Sequence, residues 1–363
     1  YDLISYFSIV IFLIILQKNK KISEIDFFVL IIFCATPFFL NNVIVHWGEF
    51  PDQKKYVDMA SQFRDLNVTG NINRNVYYSS LIYSFFPIIS FKSINSIAFL
   101  NKFMIVLLFL FFKKKNISKL FLYSLILYPS IIIYSSLSLR EIMVIFFMII
   151  SAYTFFEKNY LISFTSTIFL FLIKEQYAIY LFSILLIFRF FFEFKNYKMI
   201  NILLIFTLLV NGFVYQDQLI EILQSYRMGF VKEIGGYDEA LNTIPDSQQN
   251  IIIMFVYAYL KSFFYPFIYE LSYFKLIFFI DNILFSFLFF LNCFILFKKN
   301  KKIVFFWFIN YLMINMLMSY ISVNEMTLLR YKFPWVIFFI FCLSYTCKAK
   351  QFNVSSKKSF QFF

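Results

Sequence analysis

Apolar residues run along this chain in long unbroken stretches, and polar residues gather in short islands between them. Stretches long enough to cross the hydrocarbon of a bilayer, or nearly so, cover 3–17, 27–46, 96–112, 120–138, 142–156, 160–173, 177–193, 199–215, 251–268, 274–297, 303–323 and 331–347. A spanning helix needs about 20 residues, within a usual range of roughly 17–25, so the shorter stretches borrow flanking Tyr, Asn or Ser. The runs are continuous, not alternating, which argues for helices and against an outer-membrane barrel. The pattern predicts an all-α polytopic transmembrane bundle of about 11–12 spans. One integral membrane domain over 1–363 is expected, with two sizeable external loops at about 47–76 and 216–250 carrying short amphipathic helices.

Lysines set the orientation. They cluster at Lys18-Lys20-Lys21, Lys113-Lys114-Lys115, Lys298-Lys299-Lys301-Lys302 and Lys348-Lys350. Cytoplasmic loops keep such residues while the spans exclude them. Placing 18–21 inside sends 27–46 outward and leaves 47–76 outside. The cluster at 113–115 is again inside, so an odd number of crossings separates the two. The stretch 77–91, interrupted by Pro87, is therefore read as re-entrant or interfacial; the alternative is a full crossing that strands three lysines outside. Arg140-Glu141 and Lys174-Glu175 then fall at external turns, Glu157-Lys158 falls inside, and the basic tail 348–363 returns to the cytoplasm.

Composition changes the picture little. With 61% hydrophobic and 15% charged residues, the chain has too little polar surface to cover a soluble globule. The net charge of +13 is cytoplasmic lysine facing anionic lipid head groups, not a nucleic-acid footprint. The 58 Phe and 6 Gly suit the base composition of an AT-rich gene, so the phenylalanines carry no mechanistic weight. Cys34, Cys293, Cys342 and Cys347 have neither metal-ligand spacing nor a disulfide framework, and read as small buried residues. The chain opens at Tyr1, so a few residues are expected to precede it. Its first apolar stretch reads as a span, because lysines and a second span follow it instead of a cleavage site. There is no glycine-rich nucleotide loop, and one histidine, His46, cannot make a histidine metal site or a Ser-His-Asp constellation. No cofactor is expected.

Candidate chemistry sits in the islands. In the first external segment Asp52 follows Pro51 at the edge of a span, and Asp52, Tyr56, Ala60 and Phe63 recur at helical spacing, predicting an amphipathic surface helix. Asp52 is either a plain N-cap or a carboxylate whose partial desolvation makes it basic enough to take a proton from a sugar hydroxyl; Asp58 is the weaker alternative. Tyr128-Pro129-Ser130 and Tyr134-Ser135-Ser136 lead into Arg140-Glu141, which either caps two helices or faces a wet cavity. Arg227 in the second loop is either a solvated charge or a bidentate phosphate clamp. Arg330 and Lys332 open the last span at head-group level.

These residues resemble a family. The Pro-Asp-x-x-x-Tyr stretch, the Pro-Ser-x-x-x-Tyr-Ser-Ser run before Arg140-Glu141 and the Arg-Tyr-Lys-x-Pro opening of the last span are similar to membrane glycosyltransferases of the C type. Within that group the chain looks like a bacterial O-antigen or capsule repeat-unit polymerase. The resemblance implies glycan polymerisation on undecaprenyl pyrophosphate at the outer face of the bacterial cytoplasmic membrane. Asp52 would then be the base, with Asp58 behind it. Arg227, Arg330 and Lys332 would hold the leaving pyrophosphate, and Arg140, Glu141 and Tyr56 would shape the substrate cavity. Implied partners are the lipid-linked glycan, membrane lipid, a chain-length regulator and a flippase of the same pathway. The second loop departs from the family, offering Arg227 alone where arginines tend to recur. A lipid-linked oligosaccharide flippase is the alternative; it needs charges along the middle of its spans, and Lys102 and Asp281 are the main ones here. A glycan acyltransferase or ligase is less well matched, with His46 the only histidine.

Overall fold

A computed structural model describes residues 2–45, 50–68, 73–85, 93–192, 221, 225, 260–261, 263–264, 273–322 and 325–356. The described residues are helical, without a strand, as the continuous apolar runs require. The helices are α1 (Asp2–Lys18), α2 (Glu24–Leu40), α3 (Asp52–Arg64), α4 (Arg74–Ser84), α5 (Ser96–Lys114), α6 (Lys119–Leu127) and α7 (Pro129–Ser136). They continue as α8 (Glu141–Phe156), α9 (Tyr160–Ile173), α10 (Glu175–Phe192), α11 (Tyr273–Phe297), α12 (Lys301–Ile321) and α13 (Glu325–Ser356). Among the described residues, five segments are long and apolar enough to cross a membrane: α5, α10, Phe279–Phe297 of α11, Lys301–Ser319 of α12 and Leu328–Cys347 of α13. The bent pair α6 and α7 makes a sixth if it is one span.

The expected span 120–138 is broken, and Pro129 is the cause. A residue before proline is pushed out of the α region, and Tyr128 accordingly sits at ψ 125°. Proline then opens α7 as its first residue, where its missing N–H matters least. The two half-helices meet at 46°. The expected span 27–46 also ends early, at Leu40, where Asn41 caps the helix in extended conformation. Pro37 inside α2 cannot donate to the carbonyl of Phe33, and the Thr36 hydroxyl does so instead at 2.9 Å. The expected span 199–215 and most of 251–268 lie outside the described residues, as do 46–49, 69–72 and 86–92 and most of the second loop, 216–250.

Two compact units divide the chain, one of 1–181 with 340–363 and the other of 182–339. In the first, α5 is the buried mast, with α1, α2, α6, α7 and α8 packed on it. Pairs between helix ends show which ends lie together. Asp26 and Lys113 join the start of α2 to the end of α5 in an ion pair. The Tyr345 hydroxyl donates to Glu157. At the opposite ends, Asn95 donates to Asp2 at 3.0 Å and accepts from Asn41 at 2.8 Å. Within the second unit Trp307 stacks on Phe188, and Tyr311 stacks on Phe289 at 3.7 Å between ring centres. All four cysteines are buried and none is in a disulfide.

Helix ends carry an unusual signature. Lys20, Leu66, Asn116 and Lys158 follow α1, α3, α5 and α8 with φ between 51° and 63°. In each, the next residue's N–H reaches back five positions, as Lys21 does to Leu16 at 2.9 Å and Asn159 to Thr154 at 2.8 Å. That left-handed closure normally uses glycine or asparagine; Asn116 fits it, while Lys20, Leu66 and Lys158 each hold about 1 kcal/mol of strain.

Candidate functional site

The first unit gathers its polar side chains around residues 137–140, the turn that follows the broken span. The carbonyl end of α7 needs partners, because the last carbonyls of a helix have none within it. Asn101 of α5 supplies them to the turn, donating to Leu137 at 3.0 Å and Leu139 at 2.8 Å. The Tyr83 hydroxyl of α4 lies 2.9 Å from both the Asn101 side-chain oxygen and the Leu139 carbonyl. Ser138 accepts from the Ala98 amide at 3.2 Å and donates to Ile94, so it caps α5 from forty residues away. Its own amide donates to the Gln53 side chain at 2.9 Å.

That last bond seats α3 on the turn. Gln53, Tyr56, Val57, Met59 and Ala60 are buried, while Lys54, Lys55 and Asp58 face outward. Phe50 packs edge-on against Tyr134 at 6.0 Å, and Ser80 of α4 donates to the Tyr56 carbonyl at 3.2 Å. The amphipathic helix is present with Tyr56 and Ala60 on its inner face. Asp52 is its first residue; Pro51 occupies the cap position and makes no side-chain cap bond. The Asp52 carboxylate is partly exposed and pairs with Lys55 at 3.0 Å. Asp58 lies on the exposed face, away from the turn.

Arg140 and Glu141 complete the cluster. Arg140 donates to the Ile173 carbonyl at 3.1 Å, a cation at the negative end of α9. Glu141 opens α8 and is almost wholly buried, an acid at the positive end of a helix. Burial, reinforced by Glu141 and Tyr56, pushes the Tyr83 phenol well above its usual range, with Asn101 and Arg140 pulling the other way. The phenol therefore stays neutral and keeps donating. Lys102 lies one residue beyond Asn101, fully buried, donating to Ser135 at 2.6 Å and Ile132 at 3.2 Å and sitting 3.8 Å from the Phe33 ring centre. A membrane helix tolerates such a cation where carbonyls and a ring face replace water.

In the second unit Lys332, expected at head-group level, has its side chain buried within the protein. Helix α13 starts at Glu325, which carries Lys332 about two turns into the helix. It is fully buried, donating to Asn282 and lying 5.5 Å from the Phe263 ring centre. Lys261 donates to the Ser322 carbonyl at 2.7 Å. Arg330 is half-buried. Arg227 lies outside the described residues.

The structure thus brings Tyr56, Arg140 and Glu141 around one turn, with Asp52 at its rim. Gln53, Tyr83, Asn101 and Ser138 belong to the same cluster and were not singled out in the sequence. Asn101-Lys102, two polar residues inside an apolar run, was the one signal that pointed there. The chain matches no protein-family model, no curated protein and no solved structure.

Proposed function

We propose that this chain is a membrane glycosyltransferase of the repeat-unit polymerase type, acting on undecaprenyl-pyrophosphate-linked glycans at the outer face of the bacterial cytoplasmic membrane. The full chain would form about 11–12 spans. One observation carries the reading: the bond from Ser138 to Gln53 docks the Asp52 helix across the turn that bears Arg140 and Glu141. Asp52, Arg140 and Glu141 then lie about one turn, which in this reading stands at a membrane boundary with Asp52 as the base.

In this reading Asp52 takes the proton of an acceptor sugar hydroxyl. The freed oxygen attacks the anomeric carbon of the lipid-linked donor, and the bond from that carbon to the pyrophosphate oxygen breaks. The departing lipid pyrophosphate carries the charge, which preorganised cations must meet; Arg140 stands closest to that role in this unit, with Arg227, Arg330 and Lys332 as further candidates. Lys55 releases Asp52 when substrate enters. Asp58, on the outer face, is the less suited base.

Asp52→Asn is expected to abolish long surface polysaccharide at unchanged protein level. Normal chain length in that variant removes Asp52 from the mechanism. The buried charges Lys102, Lys332 and Asp281 favour a second reading, transport of the lipid-linked oligosaccharide. A deletion strain separates the two: without a polymerase single repeat units still reach the surface lipid, and without a flippase none do.

A further inference from the structure

We propose that the cavity at the lysine-rich ends of α1, α2 and α5 binds the phosphate head group of an anionic phospholipid. The cavity is open, with a volume of about 720 Å³, and its wall includes Lys18, Lys20, Lys21, Ser23, Glu24 and Lys113. Lys113 is already bound to the buried carboxylate of Asp26. The other three lysines are exposed and make no ion pair with a described carboxylate. With only Glu24 opposing them, an excess of two positive charges faces a concave space of head-group size.

These cations stand on a fixed frame. The closure of α1 places Lys20 and Lys21 through bonds to Gln17 at 2.8 Å and Leu16 at 2.9 Å. Ser23 and Asp26 lock the start of α2 in a reciprocal capping box. A free anion would meet the charges equally well, but the surroundings point to lipid. Ile15 on α1 and Ile25 and Phe28 on α2 are 51%, 71% and 62% exposed within about one turn of the wall. Ile11 and Ile32 extend the same apolar strips at 57% and 68%. A phospholipid sets its phosphate among the lysines and lays its acyl chains along these side chains. Basic pockets at helix ends are the usual receptors for such head groups.

The test is lipid titration of the full chain in phosphatidylcholine nanodiscs, read by thermal shift and by retained lipid in native mass spectrometry. Phosphatidylglycerol is expected to bind and to raise Tm, with phosphatidylcholine and inorganic phosphate giving no comparable shift. The Lys18→Gln/Lys20→Gln/Lys21→Gln variant should lose at least about tenfold in affinity, and Glu24→Gln should gain roughly three- to fivefold, since each charge near a membrane surface weighs about this much. Lys298→Gln/Lys299→Gln, at another exposed lysine turn, should bind like the parent. The gain in Glu24→Gln cannot be produced by misfolding. Equal binding by the triple variant, an equal loss in the control, or an equal shift with inorganic phosphate overturns the proposal.

Discussion

Replacing Tyr83 by Phe removes one oxygen from the centre of the cluster and little else. That hydroxyl is 2.9 Å from the Asn101 side-chain oxygen and 2.9 Å from the Leu139 carbonyl. The Leu139 carbonyl keeps its bond from Asn101, but the Asn101 oxygen loses the donor that α4 gave it. A buried acceptor left without a donor costs about 1–3 kcal/mol, so the variant should unfold that much more readily. Asn101→Leu removes the amide's two bonds to the turn, leaving Leu139 only the Tyr83 hydroxyl, and should cost more. Because the two side chains share one bond, the double variant should be less damaged than the sum, by about 0.5–3 kcal/mol. Chemical unfolding of the purified protein in detergent reads all four corners of the cycle. A Tyr83→Phe loss below about 0.3 kcal/mol, or full additivity with Asn101→Leu, would refute the claim that these groups brace the turn.

Three further outcomes follow from the same coordinates. Lys102→Glu sets a carboxylate against carbonyls near the end of α7 and should prevent accumulation of folded protein, whereas Lys102→Arg should be recovered; immunoblots of membrane fractions decide. Burial alone would raise the Asp26 carboxyl, but Lys113 and Ser23 outweigh it and hold it below the ordinary value of 3.8. A lowered folded-state value gives stability that is full above 3.8 and is lost as pH falls through the depressed value. Asp26→Asn should therefore flatten that acid limb while leaving the curve's shape near neutrality unchanged, as pH-dependent Tm will show. Leu66 is 92% exposed at φ 54°, so Leu66→Gly should relieve about 1 kcal/mol of left-handed strain, seen as a rise in Tm, while Leu66→Val should lower it.

Much of the helical plan was legible because it is local. Continuous apolar runs, lysine clusters and the 52–64 periodicity each depend on neighbours within a few turns. The break at Tyr128 was equally available, since Pro129 forces it, yet the apolar run through it looked like one span. The cluster around 137–140 was hidden for a different reason. Gln53 and Ser138 are 85 residues apart and Tyr83 and Leu139 are 56, so nothing in either neighbourhood announces the other. Lys332 opens the last apolar run in the sequence, and only the fold shows its side chain buried within the second unit.

Lys102 also bears on how the chain is made. A lysine at the middle of a helix costs about 2.5–3.5 kcal/mol to release from the translocon into lipid. Its partners Ile132 and Ser135 follow 30 and 33 residues later. At roughly 5–20 residues per second, the ribosome delivers them a few seconds after Lys102 itself. During that interval α5 has no carbonyls from α7 to hold its cation, so the helix bears the cost of its lysine alone until the half-helix arrives.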